Sequence, residues 1–149
     1  MPIRAKIILL GFACVIVLFG CRNVSQAQNL VCARKACYDV ELATTAQEMS
    51  LGLMHRKHMA RDKGMLFIFY KSAIQPFWMK NTLISLDMIW MDHARFVVHI
   101  EENVPPCTGD PCPRYTPSRE ALYVLELNAG EVERIGLQLG DQFEFKIHQ

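Results

Sequence analysis

Two stretches carry residues that could do chemistry inside apolar surroundings. Residues 76 to 92 read PFWMKNTLISLDMIWMD, with Lys80, Asn81, Thr82 and Asp87 set among two tryptophans, three methionines and branched residues. Residues 121 to 127 read ALYVLEL, with Glu126 between Leu125 and Leu127. A charge or amide withdrawn from water costs several kcal/mol unless a partner satisfies it, so such residues mark a polar network or a site. Asp87, Glu126 and Lys80 are the raw material for acid–base chemistry, because apolar neighbours raise a carboxylate's pKa and lower a lysine's. Lys80 close to Asp87 would instead make a structural clasp at the end of two strands, with Asn81 and Thr82 bonding the turn.

Other chemistries find less support. No G-x-S-x-G elbow is present, and the serines stand apart from any His and Asp arrangement, so nucleophilic catalysis lacks a motif. His55 and His58 have i, i+3 spacing, and the methionines between Met49 and Met91 invite a soft metal such as Cu(I). Met88 and Met91, however, lie an odd number apart and face opposite ways on a strand, and Met49 falls on a helix's apolar stripe; core filling is the expected use. The sequence calls for no metal and no cofactor.

The cysteines speak of compartment. Arg4 and Lys6 precede the apolar run IILLGFACVIVLFG, the layout of a secretory signal over residues 1–20, too short for a bilayer span. The run closes LFGC, which resembles a bacterial lipobox with Cys21 as the lipidated residue and the domain held at the periplasmic face of the envelope. Cleavage after Ala27, releasing a soluble protein, is the alternative. Loss of the leader removes two of the 16 Lys and Arg and none of the 15 Asp and Glu, leaving a formal charge of −1 and no basic stripe for nucleic acid. Cys32, Cys37, Cys107 and Cys112 remain as an even set in an oxidising compartment. Both CARKAC and CTGDPC have C-x4-C spacing, which favours local pairs 32–37 and 107–112; a zinc site, whose paired cysteines sit closer together, is the alternative.

These residues need elements to hold them. After a polar tether at 21–30, the domain occupies 31–149. YDVELAT alternates as a strand, and Thr45 with Glu48 forms a capping box opening a helix that carries Met49 and Leu53. Gly52 marks a close approach or an early helix end. Strands are expected at 64–70, 77–82, 86–92 and 95–104, paired antiparallel through tight connections, with DHAR as a hairpin turn. VPPCTGDPCPRYTPSRE, with five prolines, reads as a long surface loop. A strand at 121–127, a second short helix capped by Asn128 and a closing strand at 142–147 complete an α+β domain. Its sheet is expected to be antiparallel or mixed and barrel-like, with six to seven strands.

The segments GLMHR, GMLFIFY, PFWMKNTLISLDMIWMD, ENVPPC and YVLELNAG together resemble the family called domain of unknown function 192, over residues 38 to 147. The resemblance implies a compact single domain rich in antiparallel strands, often behind a signal peptide or lipid anchor; no activity comes with it. Cysteines in the loop holding Cys107 and Cys112 recur in exported relatives, which supports local pairing. Arg56, Trp78, Lys80, Asn81, Thr82, Asp87 and Glu126 all match the family's motifs and form the candidate ligand-binding set. The resulting expectation is a non-enzymatic envelope domain, binding a ligand or acting as an accessory, with a membrane contact through lipid on Cys21. A small hydrolase using Asp87 or Glu126 and a scaffold without ligand are the alternatives.

Overall fold

The structure, a computed structural model, describes residues 28–148. The leader, Cys21, the Ala27 cleavage point and most of the tether lie outside those residues. From Leu30 the chain forms β1 (Leu30–Ala33), β2 (Ala36–Ala43), α1 (Ala46–Leu51), β3 (Lys63–Ala73) and β4 (Phe77–Trp78). There follow β5 (Leu86–Met91), β6 (Val97–Val104), β7 (Arg114–Tyr115), β8 (Ala121–Asn128), α2 (Glu131–Ile135) and β9 (Glu144–Lys146).

Seven strands make one mixed sheet in the order β6-β5-β8-β3-β2-β1-β9, while β4 and β7 pair separately as a short ribbon. The pairing of β2 with β3 is parallel, with α1 in the crossover, and every other pairing is antiparallel. The sheet curls towards closure. Phe96 bridges Gln142, Val97 donates to the Asp141 carbonyl at 2.8 Å and Phe143 to that of Arg95 at 3.0 Å, so the two edges meet at one end as a half-barrel.

Strand alternation sorts the core onto two faces. Leu66, Ile89, Leu125 and Leu127 face one way with Tyr38 and Phe143, under Val132 of α2 and Leu137 beyond it. Phe67, Met88, Trp90 and Val124 face the other way and meet Leu53, Met59 and Met79. Five of the methionines serve that second cluster, where their flexible thioethers fill the space between the sheet and the irregular segments above it.

Several sequence expectations require correction. Leu30 already belongs to β1, which pairs with β2 through the Cys32–Cys37 disulfide, so the tether ends a residue early and an unexpected hairpin appears. The second pair, Cys107–Cys112, is also local, as the equal spacing favoured. Residues 77–82 are not one strand: β4 stops at Trp78, and Met79–Thr82 make a turn in which Asn81 takes the left-handed conformation (φ 56°). Of the four strands expected to pair in sequence, only β5 and β6 do so; β8 comes from far along the chain to sit between β5 and β3. The proline-rich loop contains β7, which pairs with β4. Asn128 does not cap α2. The cap is Gly130 (φ 85°), and the Asn128 amide donates to the carbonyls of Met59 and Ala60, both at 3.1 Å.

Candidate functional site

Glu126 sits in the middle of the sheet. In β8 it lies opposite Met65 of β3 on one side and Met88 of β5 on the other, on the face that carries Phe67 and Trp90. It is only 4% exposed, and no cation or hydrogen-bond donor among the described residues offsets its burial, which pushes the carboxyl from 4.5 up to about 8. Every fully enclosed side-chain polar atom among the described residues has a partner. The unpaired Glu126 carboxyl must therefore open into the slot that it lines.

That slot is built by two segments that cross over the sheet. On one side α1, held by the reciprocal Thr45–Glu48 capping box, ends abruptly at Gly52 and hands over to Leu53 and Met54. Gly52 is required there: its φ is +47°, and a Cβ would stand 3.3 Å from the Phe67 ring. The opposite wall is Phe77, Trp78, Lys80 and Thr82. His55 N–H donates to the Asn81 carbonyl at 2.8 Å and ties the two walls together, with the Asn81 amide 3.9 Å from Met54 Sδ. Thr82 is buried, its amide donating to the Met79 carbonyl at 3.2 Å. Below, Gly64 lets β3 approach β8, since a Cβ there would come within 2.7 Å of the Glu126 carbonyl oxygen.

The slot holds about 30 Å³, room for one or two water molecules. It shares Ser50, Leu51, Met54, Trp78 and Lys80 with an open bowl of about 510 Å³. At its mouth Trp78 is 40% exposed. The Lys80 ammonium and the Arg114 guanidinium each lie 5.3 Å from the indole, Arg114 arriving because β7 pairs it directly with Trp78. The Cys107–Cys112 disulfide braces the chain just before β7. Behind the mouth, Phe77 packs edge-on against Phe67 (4.9 Å) and Trp90 (5.8 Å), and Trp90 Nε1 donates to the Gln75 carbonyl at 2.8 Å.

Of the sequence candidates, Trp78, Lys80, Thr82 and Glu126 thus meet at one cleft and Asn81 lines its outer bowl. Asp87 and Arg56 do not join them. Asp87 is fully buried on the opposite face, where its two oxygens accept from Asn103 N–H and Val132 N–H, both at 2.8 Å. The first bond replaces a ladder contact at the irregularity in the β5–β6 register, and the second caps α2, whose Gly130 has no side chain to do so. The clasp with Lys80 is therefore absent. Arg56 makes a two-pronged ion pair with Glu41.

Arg114 escaped sequence reasoning, because only the β4–β7 pairing carries it to Trp78. Leu51 and Met54 escaped as well; they read as helix and helix exit. Glu131 is 2% exposed and bound by Tyr38 Oη at 2.8 Å, Arg61 at 2.8 Å and Arg134. Burial alone would raise its pKa, but these donors hold it down at about 2. A further hollow of about 360 Å³ lies beside this network, lined by Arg34, Lys35 and Arg134, of which Arg34 is engaged by Asp141 and Arg134 by Glu131. No group of three His, Cys, Asp or Glu side chains that could hold a metal ion occurs among the described residues.

The class defined here is an α+β domain with a half-barrel sheet and a blind cleft ending on a carboxyl. The chain belongs to the family called domain of unknown function 192, described as an uncharacterized ACR, whose model matches residues 29–145. It is similar to a protein of unknown function from Novosphingobium aromaticivorans, at 32% identity and a TM-score of 0.71, over 78% of this chain and 83% of that one. It is also similar to a candidate transcription regulator from Sinorhizobium meliloti, at 37% identity and a TM-score of 0.71, over 82% of this chain and 96% of that one. No curated protein matches the chain. Both disulfides are those of a domain that folds in an oxidising compartment, and no helix among the described residues is long and apolar enough to cross a membrane.

Proposed function

We propose that this protein is a ligand-binding domain of the cell envelope, tethered as a lipoprotein through Cys21, and that its site is the cleft from Trp78 to Glu126. One observation carries the reading: the Glu126 carboxyl is buried without a partner where it opens into a slot. A scaffold would gain stability from an apolar side chain at this position, since the neighbouring strands offer Met65 and Met88 to pack against it. Trp78 at the mouth supplies rigid contact area, and Lys80 and Arg114 add charge beside it. The tether supports the anchoring: β1 begins nine residues after Cys21, which keeps the domain near the surface.

A second reading, a small hydrolase with Glu126 as general base, draws on the same raised pKa. It has less behind it. Asp87, the other carboxylate proposed for acid–base work, points away from the cleft and is satisfied by two backbone amides. A thermal-shift screen over glycans, metals and small metabolites, comparing wild type with Glu126→Gln and Trp78→Ala, tests the binding reading. The expected result is a compound that raises the wild-type melting temperature and neither variant's. A shift retained in both variants overturns this choice of site, and no shift from any compound favours the scaffold. For the anchor, radioactive fatty acid is expected to label wild type and not Cys21→Ala; labelling that survives the substitution rejects lipidation.

A further inference from the structure

The cleft is polarised along its length, and that polarity describes a ligand. At the closed end stands a carboxyl, with Phe67, Phe77 and Trp78 lining the same slot. At the open end stand two exposed cations, Lys80 and Arg114, held against one indole and without an acidic partner within ion-pair distance among the described residues. We infer that the cleft takes a small zwitterion, an amino carboxylic acid, with its ammonium in the slot against Glu126 and its carboxylate on Lys80 and Arg114. The inference rests on the binding reading above and specifies its ligand.

Size, charge and lining each favour an ammonium at the inner end. A slot of about 30 Å³ admits a group of about the size of a water molecule, which an ammonium is and a guanidinium or carboxylate is not. An inserted cation neutralises the one buried carboxyl left without a partner among the described residues, and aromatic walls attract cations. The rim has the opposite preference: Lys80 lines both the slot and the bowl, Arg114 lies against the same indole, and a guanidinium can engage both oxygens of a carboxylate. The bowl of about 510 Å³ leaves space for the chain joining the two ends or for a side chain branching from it.

Titration calorimetry on the mature, disulfide-intact protein tests this. The ligands are glycine, β-alanine, 4-aminobutyrate, 6-aminohexanoate and lysine, beside butylamine, which lacks the acid, and butyrate, which lacks the amine. One spacing is expected to bind best, with butylamine and butyrate each at least about tenfold weaker, the loss typical of one charged partner. Glu126→Gln is expected to abolish that preference while remaining folded, as its melting curve will report. Lys80→Ala and Arg114→Ala should weaken the amino acid and leave butylamine unchanged, a split that a merely structural role would not produce.

A further readout comes from the proton. Burial keeps Glu126 protonated at pH 7, so an entering ammonium must displace about one proton, seen as a dependence of the observed heat on the buffer's ionisation enthalpy. Affinity should rise about tenfold per pH unit between pH 6 and 8 and level off above the Glu126 pKa of about 8. Binding of butyrate as tight as that of the amino acid, or binding without proton release, overturns the inference. So does a neutral compound from the thermal-shift screen that depends on Glu126 when no amino acid binds, an outcome that leaves the cleft reading standing. No binding in either experiment overturns both.

Discussion

At the scale of single residues, Glu126 and Asp87 show what a polar residue in an apolar run can mean. Both interrupt strands of the central sheet and both are buried, yet Asp87 meets two amides and Glu126 meets none. Asp87→Ala would strand two buried N–H groups and uncap α2; a loss of about 4 kcal/mol is expected in urea denaturation, at about 2 kcal/mol for each bond to a charged acceptor. Glu126→Gln should do the reverse. With a folded pKa near 8 against 4.5, the carboxyl costs on the order of 3 kcal/mol at pH 7, which the neutral amide recovers in large part, so the variant's melting temperature should rise at pH 7 to 8. Residue type alone marked both positions, along with Trp78, Lys80 and Thr82. It could not separate them, because the difference lies in which backbone amides come near, and Asn103 and Val132 reach Asp87 only through the sheet's pairing.

At the scale of elements, local signals served where the partner is local. The Thr45–Glu48 capping box, the Asp92 turn between β5 and β6 and both C-x4-C disulfides form within a few residues of each other, and each was legible. Sheet order was not, because β8 pairs with β3 and β5 across long stretches of chain that no periodicity reports. The same limit hid Arg114. Its place at the cleft depends on the β4–β7 ribbon, and β4 is cut to two residues by the left-handed turn at Asn81. The disulfide next to β7 gives this a test. Replacing Cys107 and Cys112 by serine should cost about 2 kcal/mol on the chain-entropy account and speed amide exchange across 105–115, while β8 and β3 keep their protection. Exchange spreading into β8 would mean that the loop supports the sheet rather than the mouth of the cleft. Gly64→Ala should cost about as much, because the intruding Cβ meets backbone at Glu126; a loss of about 2 kcal/mol is expected in urea denaturation.

At the scale of the whole molecule, two buried glutamates on opposite faces of the sheet give stability an unusual pH profile. Glu131 joins Tyr38 on β2, Arg61 ahead of β3 and Arg134 on α2, and its folded pKa of about 2 lies below its ordinary 4.5. Its contribution is therefore complete above pH 4.5 and is lost as the pH falls towards 2. Glu126 has the opposite sign. Its folded pKa of about 8 lies above 4.5, so between those values the unfolded chain is ionised while the folded one holds the proton, and stability declines as the pH rises until about 8. The two slopes meet near pH 4.5 to 5, where wild type should be most stable, at the acidic edge of the range usual for proteins. Glu126→Gln removes only the alkaline slope, so its optimum should widen to neutral pH while its acid limb still follows wild type. Glu131→Gln should flatten the acid limb and lower stability at pH 7 by about 1 kcal/mol, since its partners Arg61 and Arg134 are exposed and recover water when the charge is removed. Urea denaturation midpoints from pH 3 to 9 for the three proteins decide the matter. A wild-type optimum at pH 7 that Glu126→Gln leaves unmoved would mean that the carboxyl finds compensation in solution, and the cleft would then hold no unmet charge for a cation to answer.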